Sequence, residues 1–292
     1  MAAVRAFLPD GRTHLQHGPI DLVIEARGAG PEVRAACEQA WRRFHDILDA
    51  LVAELPLLRS PVGTAYPLAR GPVARRMVAA VWPHRAVFIT PMAAVAGAVA
   101  DEILAAMLAG RQLSKAYVNN GGDIALHLAP RQQFEIGIAA DPQRPALAAT
   151  VRVRCEEPVR GLATSGWRGR SHSLGIADAV TVLARSAAEA DAAATLVANA
   201  VNADHFTVCR VPACELSADS DLGELPVTTA VGSLPRHLVE AALDSGLELA
   251  ASFKAHGLLQ SAYLSLQNRT RTLSMNSPQE GALPCQQIDA IR

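Results

Sequence analysis

The sequence predicts an α+β fold, with mixed sheets flanked by helices in two lobes. Three observations predict it. Strand-like runs come in groups joined by turn residues, at 5–26, 116–128 and 134–155. Helical stretches at 30–57, 92–108, 186–201 and 234–256 separate those groups. Two of these helices are almost wholly apolar, the composition of rods buried on every side.

Residues 5–26 read as a hairpin turning at Pro9-Asp10-Gly11. Gly30-Pro31 opens a helix to about Leu57, with Val33, Cys37, Trp41, Phe44, Leu48 and Leu51 at helical spacing. Arg59–Gly71 is a Pro- and Gly-rich loop, and a short helix follows around 73–81. Ala86–Ile89 reads as a strand, and Thr90-Pro91 as the start of a helix running to Leu108. Ala93–Ala100 has no polar side chain, and Gly97 within it admits another backbone at close range. Asp101 is the first charge after that run and reads as the point where the helix reaches solvent. Ala116–Val118, Asn119–Asp123 and Ile124–Leu128 form strand, turn and strand.

Phe134–Ala139 and Ala149–Cys155 are further strands, and Gly161–His172 is a loop rich in glycine, hydroxyls and arginine. Ala179–Ala184 is a buried strand feeding into the 186–201 helix. Residues 202–232 are mixed and mostly extended, with an acidic turn at 219–223. Leu234-Pro235 starts a helix to about His256, with a break expected at Ser245-Gly246, and Leu258–Leu266 is a last strand. Residues 1–270 read as one domain of two lobes and 271–292 as a flexible tail. No internal repeat is evident.

Composition narrows the class. A chain of 292 residues, half of them hydrophobic, can bury a large core, and with 4% aromatics it must rely on close alanine-rich helix contacts. A net charge of −1 without a basic run argues against nucleic acid as a partner. Cysteines 37, 155, 209, 214 and 285 form no CxxC pair, which favours reduced thiols in the cytoplasm over a zinc site. The first twelve residues lack the apolar core of a signal peptide, and no run reaches the ~20 apolar residues of a membrane helix. The expected setting is cytoplasmic and off the membrane. The pattern is compatible with a homo-oligomer.

The chemistry centres on Ser186–Val201. Ser186 and Glu189 form a capping box, and Asp191, Thr195 and Asn199, spaced four apart, draw one polar stripe on an apolar helix. An unpartnered buried carboxylate costs several kcal/mol, so something must meet Asp191. A cation such as Mg²⁺, taking the Asp191 carboxylate and Thr195 hydroxyl, is one answer. Complementing the helix dipole, worth about 1 kcal/mol, is the other. Asn120, Gly121, Gly122 and Asp123 offer positive-φ backbone and exposed N–H groups, as a ligand loop or as a simple turn. The segment 161–172 suits a phosphate or is a solvated loop, and it is placed to fold back near the stripe.

Three blocks in this order resemble the ApbE-like proteins, whose characterised members are Mg²⁺-dependent FAD:protein FMN transferases. They are AVAGAVADEIL (94–104) leading into YVNNGGDIAL (117–126), ATSG (163–166), and TVLARSAAEADAAATLV (181–197). The wording of DGRTHLQHGPIDLVI, VNNGGDIALHL and GIADAVTVLA resembles an uncharacterised branch of that superfamily. The resemblance implies an ApbE-like fold with a ligand cleft between lobes. It also implies Mg²⁺ held by Asp191, Thr195 and the Val95 carbonyl, and FAD or another nucleotide near Asn120–Asp123 and Thr164, Ser165 and Gly166. His172 and Asp178 match loosely the transferases' His-Ile-x-Asp-Pro segment and are the candidate catalytic residues. Ala96 stands where the transferases carry Lys. The implied activity is FMN transfer from FAD. The alternatives are a divergent member acting in binding or assembly, and a transferase or lyase acting on another phosphorylated small molecule.

Overall fold

A computed structural model describes residues 2–139 and 147–275. Its centre is a nine-stranded sheet in the order β1-β2-β3-β4-β5-β8-β9-β12-β13, antiparallel at every pairing. The strands are β1 (Val4–Phe7), β2 (Thr13–His17), β3 (Ile20–Gly28), β4 (Leu113–Asn120), β5 (Asp123–Leu128), β8 (Gly161–Ser165), β9 (Ala179–Ala184), β12 (Ser261–Leu266) and β13 (Arg269–Leu273). Two hairpins stand apart from it: β6 (Gln133–Ala139) with β7 (Leu147–Arg154), and β10 (Val208–Pro212) with β11 (Pro226–Val231). The helices are α1 (Gly30–Phe44), α2 (Ile47–Val52), α3 (Leu55–Leu58), α4 (Pro72–Val81), α5 (Val95–Leu108), α6 (Ala187–Ala200), α7 (Ala213–Leu216) and α8 (Arg236–Ala255). The α+β class is as expected.

Period-two alternation sorts the strand residues between two faces. Val118, Ala125 and Val182 face the helices, whereas Tyr117, Ile124, Leu126 and Leu183 join Phe134, Ile136 and Val153 of the β6–β7 hairpin on the other face. On the helical face, one core gathers α1, α4 and α5 over β2–β4, and a second gathers α6 and α8 over β9 and β12. Residues of α6 belong to both cores.

Chain order and sheet order together show a duplication. β2-β3, α1, α5 and β4-β5 make a hairpin, two helices and a hairpin; β8-β9, α6, α8 and β12-β13 do so again. In each half the second hairpin lies beside the first, through β3–β4 and β9–β12. The halves join at β5–β8, with only Ile124 opposite Leu162 and Ala125 opposite Gly161.

Several local expectations are corrected. The 30–57 helix is α1, α2 and α3: the chain turns at His45-Asp46, and Pro56, lacking an N–H, cannot extend α2. Ala86–Ile89 is not a strand. Val87 and Phe88 are exposed, and the Val87 N–H bonds the His84 carbonyl in a turn. Gly161–Ser165, expected as loop, is strand β8. The 234–256 helix runs unbroken through Ser245-Gly246, with Gly246 buried against Val201 and Leu264. Residues 269–273 pair with β12 through a Gln267-Asn268 turn, both at positive φ, so strand replaces the start of the expected tail. The remainder, 276–292, lies outside the described residues, as do Cys285 and the 140–146 connection.

Pro91–Leu108 is long and apolar enough by composition to cross a membrane, yet half of it is buried in this fold. It packs against α1, α4, α6, β4 and β5. Its apolarity therefore has an internal explanation: it is the central core helix of the first half.

Candidate functional site

The site forms where α5 and α6 meet N-terminal turn to N-terminal turn. The capping box predicted for α6 is present, the Glu189 N–H donating to Ser186 Oγ at 3.2 Å. A β-carbon on Gly97 would overlap the Ala187 carbonyl, so only glycine lets the two backbones touch. That contact makes each helix cap the other. The Gly97 N–H donates to Asp191 Oδ2 at 3.1 Å. In return, the Ala187 and Ala188 N–H groups donate to the two Asp101 oxygens at 3.0 and 2.9 Å. Asp101, expected to mark an exit to solvent, is instead a partly buried cap. Only the fold could show this, since it bonds a helix 86 residues away.

The two acids differ in surroundings. Burial pushes the Asp101 carboxyl up to about 6, against the two N–H bonds and the nearby Arg76 charge, which lower it. Burial also raises Asp191 well above the carboxylate range, and the negative charge of Asp123 raises it further; the Ala96 and Gly97 N–H groups offset this in part. Asp123, at the start of β5, is pushed up to about 7 by burial, with the Thr164 N–H and the Arg170 charge opposing. Its Oδ1 accepts from the Thr164 N–H at 3.3 Å. Among the described residues neither Asp123 nor Asp191 forms an ion pair with an arginine or lysine.

The polar stripe of α6 faces this same region. Asp191 meets the first turn of α5, and Asn199 Oδ1, two turns on, accepts from Ser173 Oγ at 3.3 Å and the Leu174 N–H at 3.0 Å. The chain just beyond the 161–172 segment, at Ser173-Leu174, thus meets the far end of the stripe. Thr195 lies between these anchors, partly buried. Val95 is the first residue of α5, two residues before Gly97.

Asn120 is buried, and its Nδ2 donates to the Ala96 carbonyl at 3.1 Å, pinning the first turn of α5 to the end of β4. Gly121 and Gly122 form the tight turn at φ 66° and 115°, with the Gly122 N–H on Asn119 Oδ1. Thr164 Oγ1 shares a 2.9 Å hydrogen bond with Thr181 Oγ1, and Ser165 pairs with Val180 at the end of β8. Gly166 packs on the Ala177 and Asp178 carbonyls.

The two candidate catalytic residues lie in different settings. Asp178 is committed on both oxygens: Oδ1 accepts from Trp167 Nε1 and Arg168 Nε, and Oδ2 from the Gln267 N–H at 2.6 Å. His172 is exposed on the loop.

The residues present fit a hard cation. Their donors are carboxylate and hydroxyl oxygens, and the charge of Asp123 raises the protonation of Asp191, which among the described residues has no ion pair. Among the described residues no three His, Cys, Asp or Glu side chains cluster as a metal site. A cation here would draw on Thr195, a backbone carbonyl and ligand oxygens, as Mg²⁺ commonly does.

The class these features define is an α+β protein with a duplicated half and an acid pair at its helical seam. A family profile described as "AbpE bacteria" matches residues 5–272, and the chain belongs to that family. The UPF0280 protein of Methanopyrus kandleri is 31% identical over 203 residues, covering 69% of this chain and 79% of the relative. A UPF0280 protein of Methanothrix thermoacetophila is 40% identical over 118 residues, covering 40% of this chain and 48% of the relative. Among solved structures, the ApbE protein of Thermotoga maritima is similar at TM-score 0.48 and 14% identity, covering 94% of this chain and 96% of that one.

Proposed function

We propose that the α5–α6 seam binds a nucleotide with Mg²⁺, and that FMN transfer from FAD is the reaction it serves. One observation carries this: the negative charge of half-buried Asp123 reaches half-buried Asp191, which shares its helix face with Thr195. Structural acids are normally paired or hydrogen-bonded to exhaustion; this pair is left short of positive charge. Asp191, Thr195 and the Val95 carbonyl would hold the cation, with Asp123 as a further oxygen. Bound there, Mg²⁺ would neutralise charge on the pyrophosphate oxygens.

The chain's own residues would do the rest. The Gly121-Gly122 turn and the Thr164–Gly166 strand end would border the nucleotide. Asp178 holds Trp167, Arg168 and the 267 backbone in place, so its part is positioning. His172, exposed on the loop, would be the group to take a proton from an acceptor hydroxyl. In the transfer, the acceptor oxygen bonds the FMN phosphorus, the pyrophosphate bond breaks, and AMP leaves with the electron pair. The reduced thiols at Cys37, Cys155, Cys209 and Cys214 are in keeping with a cytoplasmic setting.

A second reading, ligand binding without transfer, is favoured by Ala96, which presents a methyl group where the resembled transferases carry a cation. Incubating the purified chain with FAD and Mg²⁺ separates the two. Bound flavin with released AMP supports transfer, bound flavin alone supports binding, and the absence of both counts against a flavin site.

A further inference from the structure

The loop after β8 carries one guanidinium that the fold leaves uncommitted. Arg168 is bound to Asp178 at 2.8 Å, but Arg170, two residues on, has no hydrogen bond or ion pair among the described residues and is exposed. Its guanidinium nevertheless rests on the Gly121 backbone, where a β-carbon would overlap Nη2 and crowd Cζ. Gly121 sits at φ 66°, a conformation that Asn commonly fills in two-residue turns. Here a side chain would displace the guanidinium from its seat, so glycine keeps Arg170 in place. The charge of Arg170 also reaches Asp123. An arginine serving only to neutralise Asp123 would dock its fork on that carboxylate. This one rests on Gly121 instead and is exposed.

We propose that Arg170, seated on Gly121, grips the phosphate end of the ligand while Asp123 and Asp191 take the cation that the phosphate carries. The inference rests on the reading of the seam as a Mg²⁺–nucleotide site, and it names the ligand class as a pyrophosphate or its esters. It also supplies the seam with a cation that Ala96 cannot.

The test titrates inorganic pyrophosphate with Mg²⁺ into the full chain by calorimetry, with FAD titrated in parallel. Arg170→Ala weakens pyrophosphate about tenfold to a hundredfold, the range of one or two charge-assisted hydrogen bonds. Arg170→Lys recovers part of the loss, because a point charge replaces a fork. Gly121→Ala weakens binding although the guanidinium is still in the chain. Arg170→Ala is expected to leave thermal unfolding unchanged, since its side chain is exposed and bonds nothing. Equal pyrophosphate affinity in the native chain and Arg170→Ala overturns the inference, as does no pyrophosphate binding by the native chain. Arg170-dependent pyrophosphate binding without FAD binding keeps the role of Arg170 and removes flavin as the ligand. FAD binding that ignores Arg170 keeps the flavin reading and removes this one.

Discussion

Asp101 and Asp191 occupy corresponding places in the two halves, yet only one of them looks built for a ligand. Each lies four residues beyond the contact point of its own helix, Gly97 on α5 and Ala187 on α6, and each caps the other helix. Asp101 spends both oxygens on N–H groups, with the Arg76 charge nearby. Asp191 faces Asp123 and shares its helix face with Thr195. One acid is therefore satisfied by the protein and the other is made worse by it. The lesson is that duplication supplies a symmetric seam, and one added carboxylate, Asp123 at the β5–β8 junction, turns one end of it into a site.

The comparison breaks most sharply at the contact both acids depend on. Gly97→Ala forces a methyl into the Ala187 carbonyl and separates the helices, at an expected cost of about 3 kcal/mol or more, read by urea unfolding. Both caps weaken together, so nucleotide binding falls as well. The next effect is on pH dependence. Folded Asp101 holds its proton more tightly than the unfolded chain does. Its contribution to stability is thus full below pH 3.8 and is lost as pH rises through about 6. By linkage this amounts to about 3 kcal/mol between the two ends. Asp101→Asn flattens that portion of a stability–pH curve; an unchanged curve would show that the carboxyl is not buried as described.

Smaller effects separate the two acids. Asp101→Ala at pH 5 costs about 2 kcal/mol, through two N–H groups left without acceptors. Asp191→Asn is expected to leave the ligand-free protein as stable as before or up to about 1 kcal/mol more so, because it removes the repulsion with Asp123 while the amide oxygen still accepts from Gly97. Chemical unfolding of both variants without ligand measures the contrast. A large loss from Asp191→Asn would make that residue a structural cap like its counterpart.

Much of the seam is legible in the residues themselves. The apolar composition of 93–100 and 187–198, the Ser186–Glu189 box and the polar stripe of α6 are local patterns, and they locate the two inner helices and the acid between them. What is not legible depends on partners far along the chain. Asp101 reads as a solvent boundary because its partners, the first N–H groups of α6, are 86 and 87 residues away. Gly161–Ser165 reads as loop from its glycine, threonine and serine; Gly161 is there because the first turn of α6 packs on it. Val87 and Phe88 show the opposite error, apolar β-formers with no neighbouring strand. The duplication escapes a reading by eye because its halves share topology and an acid at the seam, but little wording. Asp178 illustrates the same limit: its spacing suggests chemistry, and its three donors from Trp167, Arg168 and Gln267 suggest a fastener.

The central claim is that the Asp191 end of the seam, and not the Asp101 end, receives a cation with its nucleotide. Calorimetric titration of Mg²⁺ and FAD into the native chain, Asp191→Asn and Asp101→Asn tests it directly. The account predicts binding to the native chain, loss in Asp191→Asn despite undiminished stability, and retention in Asp101→Asn. Undiminished binding by Asp191→Asn, or equal loss in both variants, would contradict it.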